Sequence, residues 1–266
     1  MLELILRRAV EEYLTNVKVM ISFGVLFVFL FLFAFFDQFF FSSGTVLLSY
    51  NASVLSIFGI IIGIIFLYFF SFFISLTVYS VRRDVQRVSF DVYWNVLMKK
   101  ASFQIFLFYL VLSLVFYVLF ALATLVGLTL IVLFILFIVT LLLMYVPQSI
   151  VLDENELKVA LKESVLFFMS KPFTSFMIVL IGSLLLFIIV SVEHLLSIFG
   201  FPGILVSTIL VLVVVVPFVE QMKSYCFILK FDLIKQPEVW QSRVKPKKEI
   251  KIDATRLREK SKRGKI

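Results

Sequence analysis

Four ionisable residues border long apolar runs, and they are where chemistry would first be sought: Asp37, Glu193, His194 and Glu220. A charged group in hydrocarbon is costly and is usually kept for a purpose. Asp37, Glu193 and His194 fall between apolar runs, where water reaches them, and Glu220 lies just past Pro217. On that reading all four are interfacial residues. A sharper reading makes Glu193-His194 a proton-sensitive group on the outer side and Glu220 a gating or ion-contact group. Pro217 lacks an N–H, so it can kink its helix and free a carbonyl beside Glu220.

Other chemistries find little support. The chain has one His and one Cys, which falls short of the usual zinc ligand sets. Cys226 has no cysteine to pair with in the chain and reads as a small apolar residue near the end of a span. There is no G-x-S-x-G, no H-E-x-x-H, no P-loop and no glycine-rich dinucleotide fingerprint. No catalytic residue, metal site or cofactor is expected. An enzyme would need side chains such as Tyr68, Tyr109 and Tyr117 to converge on a substrate.

Contact chemistry is better represented. Gly59 and Gly63 frame a G-x-x-x-G, which lets helices approach closely, either inside one bundle or across a dimer face. From Lys223 to Ile266 there are 14 basic residues against Asp232, Glu238, Glu249, Asp253 and Glu259, a net of +9 in a chain whose formal charge is +8. Lys245, Lys247, Lys248, Arg256, Arg258, Lys260, Lys262 and Arg263 form the densest part. Such a tail can be a solvated topology signal. It can also sit on anionic lipid head groups, each cation adding about 1 kcal/mol near the surface. Ribosome or other nucleic-acid contact is a third reading, weakened because Trp240 is nearly alone as a stacking platform.

These residues must be positioned by membrane helices. Of 266 residues 62% are hydrophobic and 16% charged, against roughly 25% charged in soluble domains. Lipid must be the solvent for most of this chain. Charge-free runs mark spans at 19–36, 54–81, 103–122, 128–146, 173–192 and 204–219. The second is long and calls for tilt. The third and fourth arise from one run of 52 uncharged residues between Lys100 and Asp153. As one helix it would reach roughly 78 Å, against a hydrocarbon core of about 30 Å, so it must fold back. Its least bulky centre is Ala123-Thr124-Leu125-Val126-Gly127. Gly200-Phe201-Pro202-Gly203 separates the last two spans.

All 25 Lys and Arg fall in alternate segments: the N-terminus, the second and fourth loops, and the tail. The positive-inside rule places those segments, and both termini, in the cytoplasm of a cell-membrane protein. The N-terminus lacks an A-x-A cleavage pattern and reads as mature protein. The sequon Asn51-Ala52-Ser53 then lies outside, against the second span, where a membrane-bound transferase has poor access.

Each odd-numbered span follows a charged, helix-compatible segment, which suggests three repeats of a surface helix and a transmembrane hairpin. The expected fold class is all-α, with domains at 1–222 (six spans) and 223–266 (basic tail). The surface helices at 85–98 and 157–168 are expected to lie along the inner membrane face. Leu157, Leu161, Val165 and Phe168 would share the apolar side. The alternative is that these faces pack on the ends of the spans.

The stretch from Tyr145 through Pro147, Glu154, Ala160, Leu161 and Ser164, followed by Lys171-Pro172, carries a resemblance. It resembles a group of six-span membrane proteins of archaea and bacteria related to the membrane domain of some glycerophosphodiester phosphodiesterases. That group shows a span ending in Pro, an acidic turn, an Ala-Leu-x-x-Ser helix, then Lys-Pro or Asn-Pro. The likeness covers about one tenth of the chain closely and the rest by layout. It implies the six-span fold. The catalytic barrel of those relatives is absent here, so their hydrolase activity does not carry over.

The resulting expectation is a non-enzymatic membrane module whose partners are membrane lipids, anionic ones included, a second copy, or a membrane protein. The alternative is a small transporter or lipid-moving protein, which a polar groove containing Glu220 would favour.

Overall fold

A computed structural model of the chain describes residues 2–26, 38–42, 45–49, 57–86, 90–199 and 203–228. Helices α1 (Leu2–Thr15) and α2 (Val17–Ser22) are followed by strands β1 (Gln38–Ser42) and β2 (Thr45–Ser49). Then come α3 (Ile57–Gln86), α4 (Phe90–Val126), α5 (Thr129–Leu142), α6 (Val146–Leu152), α7 (Leu157–Ser170) and α8 (Pro172–Ile198). The last element is α9 (Gly203–Leu210), a π-helical turn at Val211–Val215, and α10 (Val216–Ile228).

Five helical stretches among the described residues are long and apolar enough to cross a membrane: Gly63–Arg83, Lys100–Val126, Thr129–Leu152, Pro172–Ile198 and Gly203–Ile228. The chain is a multi-pass membrane protein. Of the first expected span, 19–36, only the beginning is described, as α2 and a further helical turn reaching Leu26.

Three spans run further than expected. α3 continues through Arg82 and Arg83 to Gln86, because nothing there breaks a helix and Arg82 finds partners in the bundle. α8 continues past Glu193 and His194 to Ile198. These two residues therefore stand on the last turns of a helix rather than in a loop. Gly203–Ile228 likewise continues past residue 219, carrying Glu220 and Lys223 within it.

The surface-helix pattern holds unevenly. α1 and α7 are separate helices, and α7 ends at Lys171, with Pro172 opening α8. The expected second surface helix at 85–98 is instead continuous with the third span: Phe90–Val126 is one helix of 37 residues. It contains neither Gly nor Pro to interrupt it. The fold-back falls where expected. Gly127 takes φ +76, and the Leu128 N–H donates to the Ala123 carbonyl at 3.0 Å. That left-handed conformation suits glycine.

One departure from helix was not expected. β1 and β2 pair antiparallel, with Gln38 opposite Ser49 and Ser42 opposite Thr45. Phe39-Phe40-Phe41 and Val46-Leu47-Leu48 are strand-prone types on either side of a two-residue connection.

Helix α3 packs on α4, α6 and α10, and α6 packs on α4 and α10, at the end of the bundle that carries Arg82, Arg83, Lys100 and Glu154, called here the charged end. α6 is the centrepiece, with all seven residues buried. In contrast, α4, α5 and α8 hold large apolar side chains outward. Leu125 and Leu130 are each 83% exposed, as lipid-facing residues should be. α7 has both characters. It buries Ala160, Ser164 and Phe167 against the bundle, while Val159, Leu166 and Met169 point out. The face expected to be apolar, Leu157, Leu161, Val165 and Phe168, is half-buried at its edge.

Candidate functional site

Two interrupted helices meet at the charged end, and their meeting point is the candidate site. The first interruption is between α5 and α6. Pro147 sits in the first turn of α6, where its missing N–H costs nothing. The broken backbone at Leu143–Tyr145 is repaired by a side chain. The Ser164 hydroxyl donates to the Leu142 carbonyl at 2.8 Å and accepts the Tyr145 N–H at 3.1 Å. A break in a span is tolerable only with such internal partners.

The far end of α6 is secured similarly. Arg82 donates to the Val151 carbonyl at 2.7 Å and pairs with Glu154 at 2.7 Å. Glu154 has φ +58, turning the chain sharply after α6. The Glu163 carboxylate accepts from Ser149 at 2.8 Å and from Asn155 at 2.7 Å. The stretch from Tyr145 to Ser164 is thus the signature of a stitched, broken helix.

The second interruption is the π-helical turn at Val211–Val215. A π turn spoils the regular i−4 pairing, and here the Val213 carbonyl accepts the Tyr13 hydroxyl at 3.1 Å. Burial pushes the Tyr13 phenol pKa up, so it remains a neutral donor. Tyr13 also meets Phe218 edge-on, with ring centroids 6.4 Å apart. The N-terminal helix is in this way tied to the last span.

Between the interruptions lies a buried charge pair. Glu220 and Lys223 are both fully buried and ion-paired one helical turn apart. Gln148, on α6, donates its side-chain N–H to the other Glu220 oxygen at 2.7 Å. Tyr109, on α4, is within electrostatic reach of Glu220. Glu12 lies close by on α1, accepting from Asn16 and, at 3.5 Å, from Tyr225; Asn16 in turn accepts from Arg83 at 3.0 Å. Tyr145 closes the side toward α8. Its hydroxyl is 2.8 Å from that of Ser175 and donates to the Cys226 sulfur at 3.5 Å, while its ring packs on Phe167 and Phe227.

This placement corrects several expectations. Glu220 is fully buried within the bundle, its charge met by Lys223 one turn further along the same helix. Lys223 belongs to that helix and not to a solvated tail. Glu193 is half-buried and His194 exposed at the opposite end of the bundle, so neither joins Glu220. The Glu193 carbonyl accepts from the Ser197 hydroxyl at 2.9 Å, within the last turns of α8. Tyr68 and Tyr117 are exposed while Tyr109 is buried, so the three do not converge. Cys226 is buried, as its small apolar character suggested. Among the described residues nothing stands within 4 Å of where a Cβ on Gly63 would lie. The side-chain surroundings of position 59, Asp37, the sequon at Asn51 and the tail cations from Lys245 to Arg263 lie outside what is described.

Sequence reasoning missed Gln148, Lys223, Tyr109 and Glu12 as members of the site. Gln148 alone had a signal, being a polar residue directly after Pro147 near the end of an apolar run. No family model, curated protein or solved structure matches this chain.

Proposed function

We propose that this chain is a non-enzymatic membrane module, whose work is to pack with lipids or a membrane partner, and whose polar core keeps its helices in register. The observation that carries this reading is the complete burial of the Glu220–Lys223 pair, mutually neutralised and bound to Gln148 on a neighbouring helix. A buried pair adds little net stability, but it penalises every arrangement that parts its members. Large apolar side chains dominate the outward faces of the middle stretches of α4, α5 and α8, among them Leu114, Val118, Phe134, Leu184 and Phe187, as a lipid-contact surface requires.

The test is accessibility. Gln148→Cys and Glu220→Cys, in a Cys226→Ala background, should resist small charged thiol reagents from both sides of the membrane. Labelling at either would favour the second reading, a small transporter. That reading has its own observation: two interrupted helices flank a buried charge, an arrangement that transporters use for binding sites.

The layout proposed with this function has six spans, termini in the cytoplasm, and the tail cations, Lys245 to Arg263, on anionic lipid. It is supported by the alternation of all 25 Lys and Arg. The relation to the membrane domain of glycerophosphodiester phosphodiesterases is part of the same proposal and rests on the Tyr145 to Ser164 stretch. Comparing lipids that co-purify with the full chain and with a chain ending at Lys230 tests the tail. Equal enrichment of anionic lipid would remove its role.

A further inference from the structure

Helix α7 divides its outward face by chemistry along its length. Its buried side is Ala160, Ser164 and Phe167. With about 3.6 residues per turn, the opposite side carries Lys158, Lys162, Leu166 and Met169. All four are exposed, Leu166 at 60% and Met169 at 64%. The first half of this face is thus cationic and the second half apolar. Apolar exposure continues past the end of the helix. Phe173 is 70% exposed and Phe176 52%, both in the first two turns of the span-length helix α8.

The two cations are unmatched. Neither Lys158 nor Lys162 makes an ion pair among the described residues. Of the acidic neighbours, Glu154 pairs with Arg82, and Glu163 accepts from Ser149 and Asn155. Glu156 precedes the helix two positions before Lys158, a spacing at which side chains do not face each other. Helix α1 makes the contrast. It too has an outward apolar stripe, Leu6, Val10 and Leu14, but its Arg7 and Arg8 both pair with Glu11.

The spacing on α7 selects its occupant. One helical turn separates Lys162 from Leu166, about 6 Å along the axis. A bilayer passes from head groups to hydrocarbon over about 5–8 Å on each side. A free anion would use only the lysines, and a hydrocarbon chain only the apolar half. A molecule with an anionic head and acyl chains uses both, and a membrane surrounds this chain with such molecules.

We propose that the outward face of α7 docks an anionic glycerophospholipid, its head-group phosphate on Lys158 and Lys162 and its acyl chains on Leu166, Met169, Phe173 and Phe176. Exposed lysines of this kind draw anionic head groups, and apolar side chains one turn away enter the acyl boundary. The proposal rests on the module reading, from which it takes lipid as the partner, and it names the surface that partner occupies. The two fail separately. Thiol labelling at Gln148→Cys or Glu220→Cys ends the module reading and does not bear on which head group α7 prefers.

Photoreactive lipids test it. The full chain would be placed in phosphatidylcholine nanodiscs doped with a probe bearing a diazirine on its acyl chain and either a phosphatidylglycerol or a phosphatidylcholine head group. Mass spectrometry reads labelling of residues 157–176 against that of residues 2–15, the α1 reference. Relative to that reference, the phosphatidylglycerol probe should label 157–176 several-fold more than the phosphatidylcholine probe. Equal labelling by the two probes overturns the proposal, and this comparison needs no variant. Lys158→Gln with Lys162→Gln should abolish the preference, and Lys158→Arg with Lys162→Arg should keep it. A preference that survives the glutamine pair, or is lost in the arginine pair, also overturns the proposal.

Discussion

Glu220 and Lys223 stand one turn apart on α10 with no surface in contact with solvent. Removing one partner leaves the other charged, buried and unmatched, which costs roughly 3–5 kcal/mol, whereas replacing both by neutral residues of similar size is near neutral. Lys223→Met should therefore destabilise the protein severely, and Glu220→Gln combined with Lys223→Met should recover most of the loss. Unfolding of the four members of this cycle in one detergent measures the coupling. Simple additivity would mean the two side chains do not act as a pair. Ser164 offers a separate test, since it satisfies both a carbonyl and an N–H at the α5–α6 break. Ser164→Ala should cost about 1–3 kcal/mol, the usual penalty for stranding buried backbone groups. Among the described residues Ser170 bonds within its own helix, to the Phe167 carbonyl. Ser170→Ala should stay within about 0.5 kcal/mol of the parent, as surface changes do.

At the scale of elements, the interruptions in α5–α6 and α9–α10 are held by side chains from elsewhere in the chain. Tyr13 on α1 caps the π turn through the Val213 carbonyl, a contact spanning 200 positions. Tyr13→Phe keeps the ring contact with Phe218 and loses only the hydroxyl, so a loss of about 1 kcal/mol is expected. The measurement is the thermal midpoint, with release of α1 followed by proteolysis near Thr15. The approach of α9 to α8 is set by contact instead. A Cβ at Gly203 would lie 2.4 Å from the Glu193 carbonyl oxygen, against backbone that cannot yield cheaply. Gly203→Ala should push α9 away from α8 and cost about 1–3 kcal/mol, as overpacking does. An unchanged midpoint would show that this helix contact is looser than its geometry.

At the scale of the whole molecule, the polar core is gathered at one end and the apolar surface is spread over the rest. In the proposed layout, the alternation of basic segments would put that core at the cytoplasmic side. Cysteines introduced at Ser43 and Ser197, in a background without Cys226, should be labelled from outside intact cells; those at Ser89 and Ser261 should not. External labelling at Ser261 would reverse the tail and sink the six-span layout. α1 and α7 each bury one stripe and expose another, with Leu6, Val10 and Leu14 outward on α1 and Leu166 and Met169 outward on α7. Both therefore suit the boundary between head groups and acyl chains. Changing Leu166 and Met169 to Asp should weaken membrane integration of the fourth loop, read as easier cleavage near Ser170, without disturbing the Glu220–Lys223 pair.

Membrane residence, the approximate centres of the spans from α3 onward, and the fold-back at Gly127 follow from composition alone. Apolar length and the absence of charge are one-dimensional properties, and lipid reads them directly. The ends of the spans were not legible. A helix continues until something stops it, and Arg82, Glu193 and Glu220 do not stop one when a partner or solvent receives their side chains. The surface helix expected before Lys100 merged with its span for the same reason. The site was the least legible part. Gln148, Glu220, Tyr109 and Glu12 come from four helices, separated by up to 208 positions. Taken singly, Gln148, Glu220 and Glu12 look like polar residues near an apolar run, and Tyr109 like one aromatic among many within its span. Only packing brings them together, because the cost of a buried charge is decided by what lies within a few ångströms in space, and sequence spacing carries that distance only within one helix.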